Sequence, residues 1–124
     1  MRKGILCVLI CIAGVLVAPQ ASFSLDGNGY KNAGEVGQIW YIGGVLDGWY
    51  LTSELSNVRL KQEGSAPSSA EKVAIHIVNC IDDRHMQFVQ IKAIIDKYRD
   101  DRPNQWHYRM SAMVLSSLLD ACKG

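Results

Sequence analysis

The chain has 124 residues, of which 13 are basic and 12 acidic, for a formal net charge of +1. That length allows one domain with a modest core. Near-neutrality argues against nucleic acid or an anionic membrane surface as the partner.

The chain opens on Met1-Arg2-Lys3, a short basic start, followed by an uncharged apolar run from Gly4 to Val17 and a small-residue stretch from Ala18 to Ser24. This is the layout of a secretory signal. The apolar run falls short of the roughly 20 residues a membrane span needs, which favours a cleaved signal over an uncleaved anchor. Ser22 and Ser24 sit where a signal peptidase wants small residues, so cleavage is expected after Ser24, with Ala21 as second choice. Residues 1–24 are thus read as signal and 25–124 as a single all-α domain. Cys11 follows Val8-Leu9-Ile10, without the small residues that precede a lipoprotein cysteine, so no stable membrane anchor is expected after cleavage. Taking Arg2 and Lys3 from the 13 basic residues leaves 11 against 12 acidic ones, a net charge of −1.

Cys7 and Cys11 leave with the signal, and of the four cysteines only Cys80 and Cys122 remain. One intramolecular pairing is then possible, and an oxidising compartment would form it. Two free buried thiols or an intermolecular bridge are the alternatives.

Leu25 to Asn32 is rich in Gly and Asn and reads as a loose start. From Ala33 to about Leu55, apolar residues including Val36, Ile39, Trp40, Ile42, Leu46, Trp49 and Leu51 cover most of a helical circumference. A helix apolar nearly all round belongs inside a bundle or in an oligomer interface. Gly44 and Gly48, one turn apart, would open a flat groove for an approaching backbone. The rival reading is two strands with glycine turns. Asp47 is the odd polar residue here and is expected in a buried hydrogen bond or a helix-groove contact.

Ser56 to Ser69 is polar and reads as a loop centred on Gly64-Ser65-Ala66-Pro67. Ser68 and Glu71 have capping-box spacing, which predicts a short helix from Ala70 to about Asn79. The alternation of Val73, Ile75 and Ile77 would suit a strand instead. Asp82-Asp83 is an N-cap candidate for the next helix, where Phe88, Ile91, Ile94, Ile95 and Tyr98 recur at helical spacing. Residues 100–104 break it, and Pro103 fits the first turn of a last helix carrying Trp106, Met110, Met113, Val114, Leu118 and Ala121. The two helices, each about 17 residues or roughly 26 Å, form an antiparallel hairpin. Cys80 and Cys122 then meet at its open end, within the roughly 7 Å between Cα atoms that a disulfide needs. The fold expected is an all-α small helical bundle with a C-terminal antiparallel helical hairpin closed by that disulfide.

Catalytic chemistry is thin. Cys80, Asp82, Asp83 and His85 lie close in sequence, but no spacing matches a standard zinc pattern and Cys80 is better used in the disulfide. No nucleophile elbow, phosphate loop or dinucleotide fingerprint occurs. His76, His85 and His107 have no evident catalytic partner. The reading is therefore no enzyme, no metal and no cofactor. Trp40, Trp49, Trp106, Tyr41, Tyr50 and Tyr108 form a dense aromatic set, destined for the core or, for some, for interface anchoring.

The segment Tyr41-Ile42-Gly43-Gly44-Val45-Leu46-Asp47-Gly48 resembles the Y-hydrophobic-x-G-hydrophobic-x-D-G helix of the Rap/Tai family, immunity proteins against amidase effectors of the type VI secretion system. Gln90, Ile94, Ile95 and Tyr98 resemble that family's next helix, Arg102 to His107 its P-E-x-x-H turn, and Leu118 to Cys122 its ending. Asn104 replaces the family's glutamate, Ser117 replaces an alanine, and Arg59 to Ala74 has no counterpart. The resemblance implies an all-α, often dimeric periplasmic protein that blocks a peptidoglycan amidase by occluding its active-site cleft. Its partners would be that effector and a second copy, a homodimer. The polar loop and the segment after it supply the expected contact residues: Lys61, Glu63, Glu71, Lys72, Asp82 and Asp83. The alternatives are a periplasmic acid-stress chaperone, which would expose apolar surface, and a structural accessory protein of the cell envelope.

Overall fold

The computed structural model describes residues 25–123, so the segment read as a signal, with Cys7, Cys11 and the expected cleavage position, lies outside the described residues. Within them the protein is all-α, with five helices: α1 (Gly27–Asn32), α2 (Gly34–Glu63), α3 (Ser69–Asp83), α4 (Phe88–Asp100) and α5 (Met110–Ala121). A 3-10 turn, Pro103–Gln105, precedes α5. α2 packs along α3, α4 along α5, and α1 touches both α2 and α5. One core cluster joins all five, built from Tyr30, from Ile42 and Leu46 of α2, Ile77 and Ile81 of α3, Ile91 and Ile95 of α4, and Met110, Val114 and Leu118 of α5.

The segment 25–32 is ordered rather than loose. Asp26 caps α1, its Oδ1 accepting from the Gly29 N–H at 2.7 Å. Tyr30, one turn later, is fully buried and donates its hydroxyl to Asp96 at 3.1 Å. The Met110 N–H donates to the Leu25 carbonyl at 2.7 Å. At Gly27 an added Cβ would come within 3.0 Å of the Trp106 backbone, so the missing side chain allows the close approach of α1 to the turn before α5. The Gly/Asn composition concealed a cap and an anchor.

α2 runs past the expected end at Leu55 and takes in most of the expected loop. Arg59, Leu60, Lys61, Gln62 and Glu63 are all good helix formers. Polarity alone does not stop a helix. Gly64 does, adopting φ +67° and donating its N–H back to the Leu60 carbonyl. The loop shrinks to 64–68. Nor is α2 buried all round: its buried residues are Ile42, Leu46, Ser53 and Ser56, on one face.

α3 is a helix, longer than expected at both ends, and the strand alternative is excluded. Ser68 accepts from the Glu71 N–H, and Glu71 Oε2 accepts from the Ser68 N–H, the reciprocal box its spacing predicted. Asp82 and Asp83 do not cap the next helix; they form the last turn of α3, which continues through buried Ile81. α4 begins instead behind Gln87, whose N–H donates to Gln90 Oε1 at 2.8 Å. The hairpin helices have 13 and 12 residues, shorter than the roughly 17 expected. Pro103 opens the 3-10 turn rather than α5, and Trp106 and His107 lie in the connection.

Cys80 and Cys122 are bonded, with Cα atoms 6.0 Å apart. The bridge closes the open end of the α4–α5 hairpin as expected, and because Cys80 lies in the last turn of α3 it also ties the α2–α3 pair to the end of α5. Arg84 reinforces the junction, donating to the Ala121 carbonyl at 2.6 Å. The cysteines are 42 residues apart in sequence, a loop whose closure is worth about 4 kcal/mol in the chain-entropy account. Replacing both by alanine should lower unfolding stability by about that amount, read from urea denaturation of both proteins without reductant. Tyr30→Phe should cost about 1 kcal/mol, the worth of the hydrogen bond lost to Asp96, which keeps its pair with Lys92.

Candidate interaction surface

Among the described residues no three His, Cys, Asp or Glu side chains group as metal ligands. Cys80 is consumed by the disulfide, and Asp82 accepts the Tyr50 hydroxyl at 2.7 Å. Burial, followed by that hydrogen bond to the carboxylate, pushes the Tyr50 phenol up to about 12. His76, His85 and His107 are exposed on α3 and on two separate connections. No described helix is long and apolar enough to cross a membrane.

The six expected contact residues divide into two groups. Lys61 and Glu63 on the last turn of α2, and Glu71 and Lys72 on the first turn of α3, gather around the 64–68 turn. Asp82 and Asp83 lie at the opposite end of α3, about 16 Å along its axis. They belong to no common patch with the other four.

Where the four gather, the two helices outrun the core. The last buried residue of α2 is Ser56 and the first of α3 is Ala74, which leaves about 10 Å of helical hairpin beyond them. Arg59 stiffens this tip from α2 by an ion pair across to Glu71 at 2.7 Å. Glu71 therefore has structural work, with two partners already. Hydrogen bonds from the Ser68 hydroxyl and N–H, then the Arg59 guanidinium, hold its carboxyl down to about 2. Lys61, Glu63 and Lys72 are exposed at the tip.

A second surface lies on α2, the helix expected inside a bundle or in an oligomer interface. Opposite the buried face of α2, Val36 is 69% exposed, Trp40 77%, Leu51 56%, Leu55 59% and Val58 48%. They share one side with Gly44 and Asp47. Asp47 is exposed, which removes the buried hydrogen bond expected for it. An added Cβ at Gly43, Gly44 or Gly48 would meet nothing within 4 Å. The groove expected at Gly44 and Gly48 is present at Gly44 but not at Gly48, and among the described residues no backbone fills it. It measures about 480 Å³ and is lined by Leu25, Gly37, Trp40, Tyr41, Gly44 and Val45. The signal was in the sequence: apolar residues all round a long helix in a chain with few other elements to cover it. Single exposed apolar side chains are ordinary, but a contiguous stripe of them marks an interaction surface.

No protein-family model, no curated protein and no solved structure matches this chain.

The tip has an acid-sensitive root. Glu71 is depressed in the folded state, so its contribution is complete above the ordinary carboxylate value of 4.5 and is lost as pH falls toward about 2. Amide exchange in the first turn of α3 should accelerate over that window, and Glu71→Gln should show the fast exchange already at neutral pH. Ser68→Ala should cost about 1 kcal/mol of stability.

Proposed function

We propose that this chain is a periplasmic immunity protein that binds and inhibits a peptidoglycan amidase effector of the type VI secretion system, acting as a homodimer. The observation that carries the reading is the α2–α3 tip. It is a helical hairpin extending past the core, stiffened by the Arg59–Glu71 pair and bearing Lys61, Glu63 and Lys72 in the open. A hydrolase that cleaves wall peptides needs an open cleft. A rigid hairpin projecting about 10 Å is a suitable obstruction for one, and needs no chemistry or cofactor of its own. Rigidity matters because an ordered wedge loses little conformational entropy on binding. The disulfide suits an exported, oxidising compartment. The sequence resemblance to the Rap/Tai immunity family supplies the partner class.

Within this reading Lys61, Glu63 and Lys72 face the effector, Glu71 holds the tip in shape, and Asp82 and Asp83 lie away from the contact. A periplasmic acid-stress chaperone is the second reading, favoured by the exposed side of α2, since a chaperone must offer apolar surface. Suppression of client aggregation at acid pH by the purified chain, with no protection against an amidase, would select it.

The deciding experiment co-expresses the exported chain with a periplasmically targeted amidase encoded beside its gene. Survival and a co-purifying complex are expected. Lys61→Glu and Lys72→Glu should each weaken that complex about tenfold or more, and together abolish protection, with the helical spectrum unchanged. Protection that survives both reversals removes the tip as the contact; lysis despite folded, disulfide-bonded protein rejects the pairing with that amidase.

A further inference from the structure

We propose that the outer side of α2 pairs with the same side of a second copy of this chain, antiparallel, about a two-fold axis passing between Asp47 and Gly48. This gives the homodimer of the proposed function a surface and a register, and rests on that part of the reading alone.

The argument starts from spacing. Val36, Trp40, Gly44, Asp47, Leu51, Leu55 and Val58 are separated by steps of four and three that repeat every 11 residues. Such a repeat advances 3.67 residues per turn, close to the helix's own 3.6, so the stripe runs nearly parallel to the axis. It lies opposite the side buried by Ile42, Leu46, Ser53 and Ser56.

The stripe has two unlike halves. Its N-terminal half carries exposed Val36 and Trp40, with a groove beside Trp40 over Gly37 and Gly44 whose far wall is Leu25, Tyr41 and Val45. Its C-terminal half is a ridge of Leu51, Leu55 and Val58, each at least 48% exposed. A groove and a ridge on one straight helix fit each other only when a second helix runs the opposite way. With the axis between Asp47 and Gly48, Leu51 falls opposite Gly44, Leu55 opposite Trp40 and Val58 opposite Gly37, and the same three contacts repeat on the other side. Large residues meet small ones at two of the three positions, and Leu55 meets the flat Trp40 ring at the third. Side-chain ridges seated in grooves are how helices pack, and glycines allow the axes to approach closely.

This symmetry singles out the occupant. A different protein docking on α2 would need no correspondence between positions on either side of one point. A self-pairing surface requires it, because every contact in a two-fold interface is made twice. From Gly37 to Val58 the stripe is about 32 Å long, and one helix is about 10 Å across. That strip falls short of the roughly 800 Å² per partner of a standard interface, so the dimer should form in the micromolar range and depend on concentration. The two Asp47 carboxylates flank the axis and oppose each other, which weakens the pair further.

Sedimentation velocity on the exported, disulfide-bonded chain across the micromolar range tests the pairing. Wild type should pass from monomer to dimer. Leu51→Glu and Gly44→Trp should each weaken the dimer about a hundredfold, since symmetry applies every change twice; both sites are exposed, so the helical spectrum and thermal unfolding should stay near wild type. Asp47→Asn should tighten it. Register is read by oxidative crosslinking. Asp47→Cys should crosslink to itself, and Trp40→Cys should crosslink to Leu55→Cys when the two are mixed, with neither doing so alone. A chain that stays monomeric throughout, a dimer indifferent to Leu51→Glu and Gly44→Trp, or Leu55→Cys crosslinking to itself as a parallel pair would each overturn the proposal. Cells protected by a chain that remains monomeric would sink this pairing and leave the immunity reading intact.

Discussion

The length of α2 sets the terms for the rest of the molecule. At 30 residues it runs about 45 Å, while α3, α4 and α5 have 15, 13 and 12 residues. α3 covers one side of its C-terminal half, and the short α1 touches it near its start. Among the described residues no other element is long enough to wrap it. One side of α2 joins the core, the opposite side stays in solvent, and its last two turns extend past the core altogether. The exposed apolar stripe and the projecting tip are both consequences of that mismatch.

The remaining elements hold this long helix against the hairpin at two places. At one end Tyr30 is the fastening. It is fully buried, its ring lies edge-on to Tyr41 of α2, and its hydroxyl donates to Asp96 of α4. Asp96 also pairs with Lys92 and stands 3.6 Å from Arg99, so the buried phenol meets a carboxylate that is well satisfied. Burial and this carboxylate push the Tyr30 phenol well above its ordinary value, which keeps it a donor. At the other end the Cys80–Cys122 bridge and Arg84 join α3 to α5. A small core leaves little margin, and the bridge lies where packing between the two helical pairs would otherwise have to suffice alone.

How much of this was legible depended on whether a signal was local. The Ser68–Glu71 box was readable because both halves of a capping box lie within four residues. The helix spacing of Phe88 to Tyr98 was readable for the same reason. Gly64 as the stop of α2 was hidden by the polar residues before it, which resemble loop composition while being good helix formers. Asp82 and Asp83 looked like an N-cap because acidic residues favour helix starts; what placed them in a last turn was the burial of Ile77 and Ile81, a tertiary fact. Tyr30 was illegible for that reason too. Its role depends on Asp96, 66 residues away. The stripe on α2 was visible as apolarity, but periodicity does not say which of two apolar sides the fold will cover.

The tip and the stripe share one helix, and their arrangement decides whether inhibition and self-association compete. Gly64 lies about 25 Å along α2 from the point between Asp47 and Gly48, by the rise of 1.5 Å per residue. In an antiparallel pair about that point the two tips face away from each other, about 50 Å apart along the shared axis. Neither tip would be covered by the proposed partner copy, so each would stay free for a cleft of its own. Pairing along the stripe would bury the apolar residues that a lone chain would otherwise expose to aggregation. It would leave Lys61, Glu63 and Lys72 in solvent. In the proposed arrangement α2 would divide its roles: its middle would join two copies, and its C-terminal end, held by Arg59 and Glu71, would be what each copy presents.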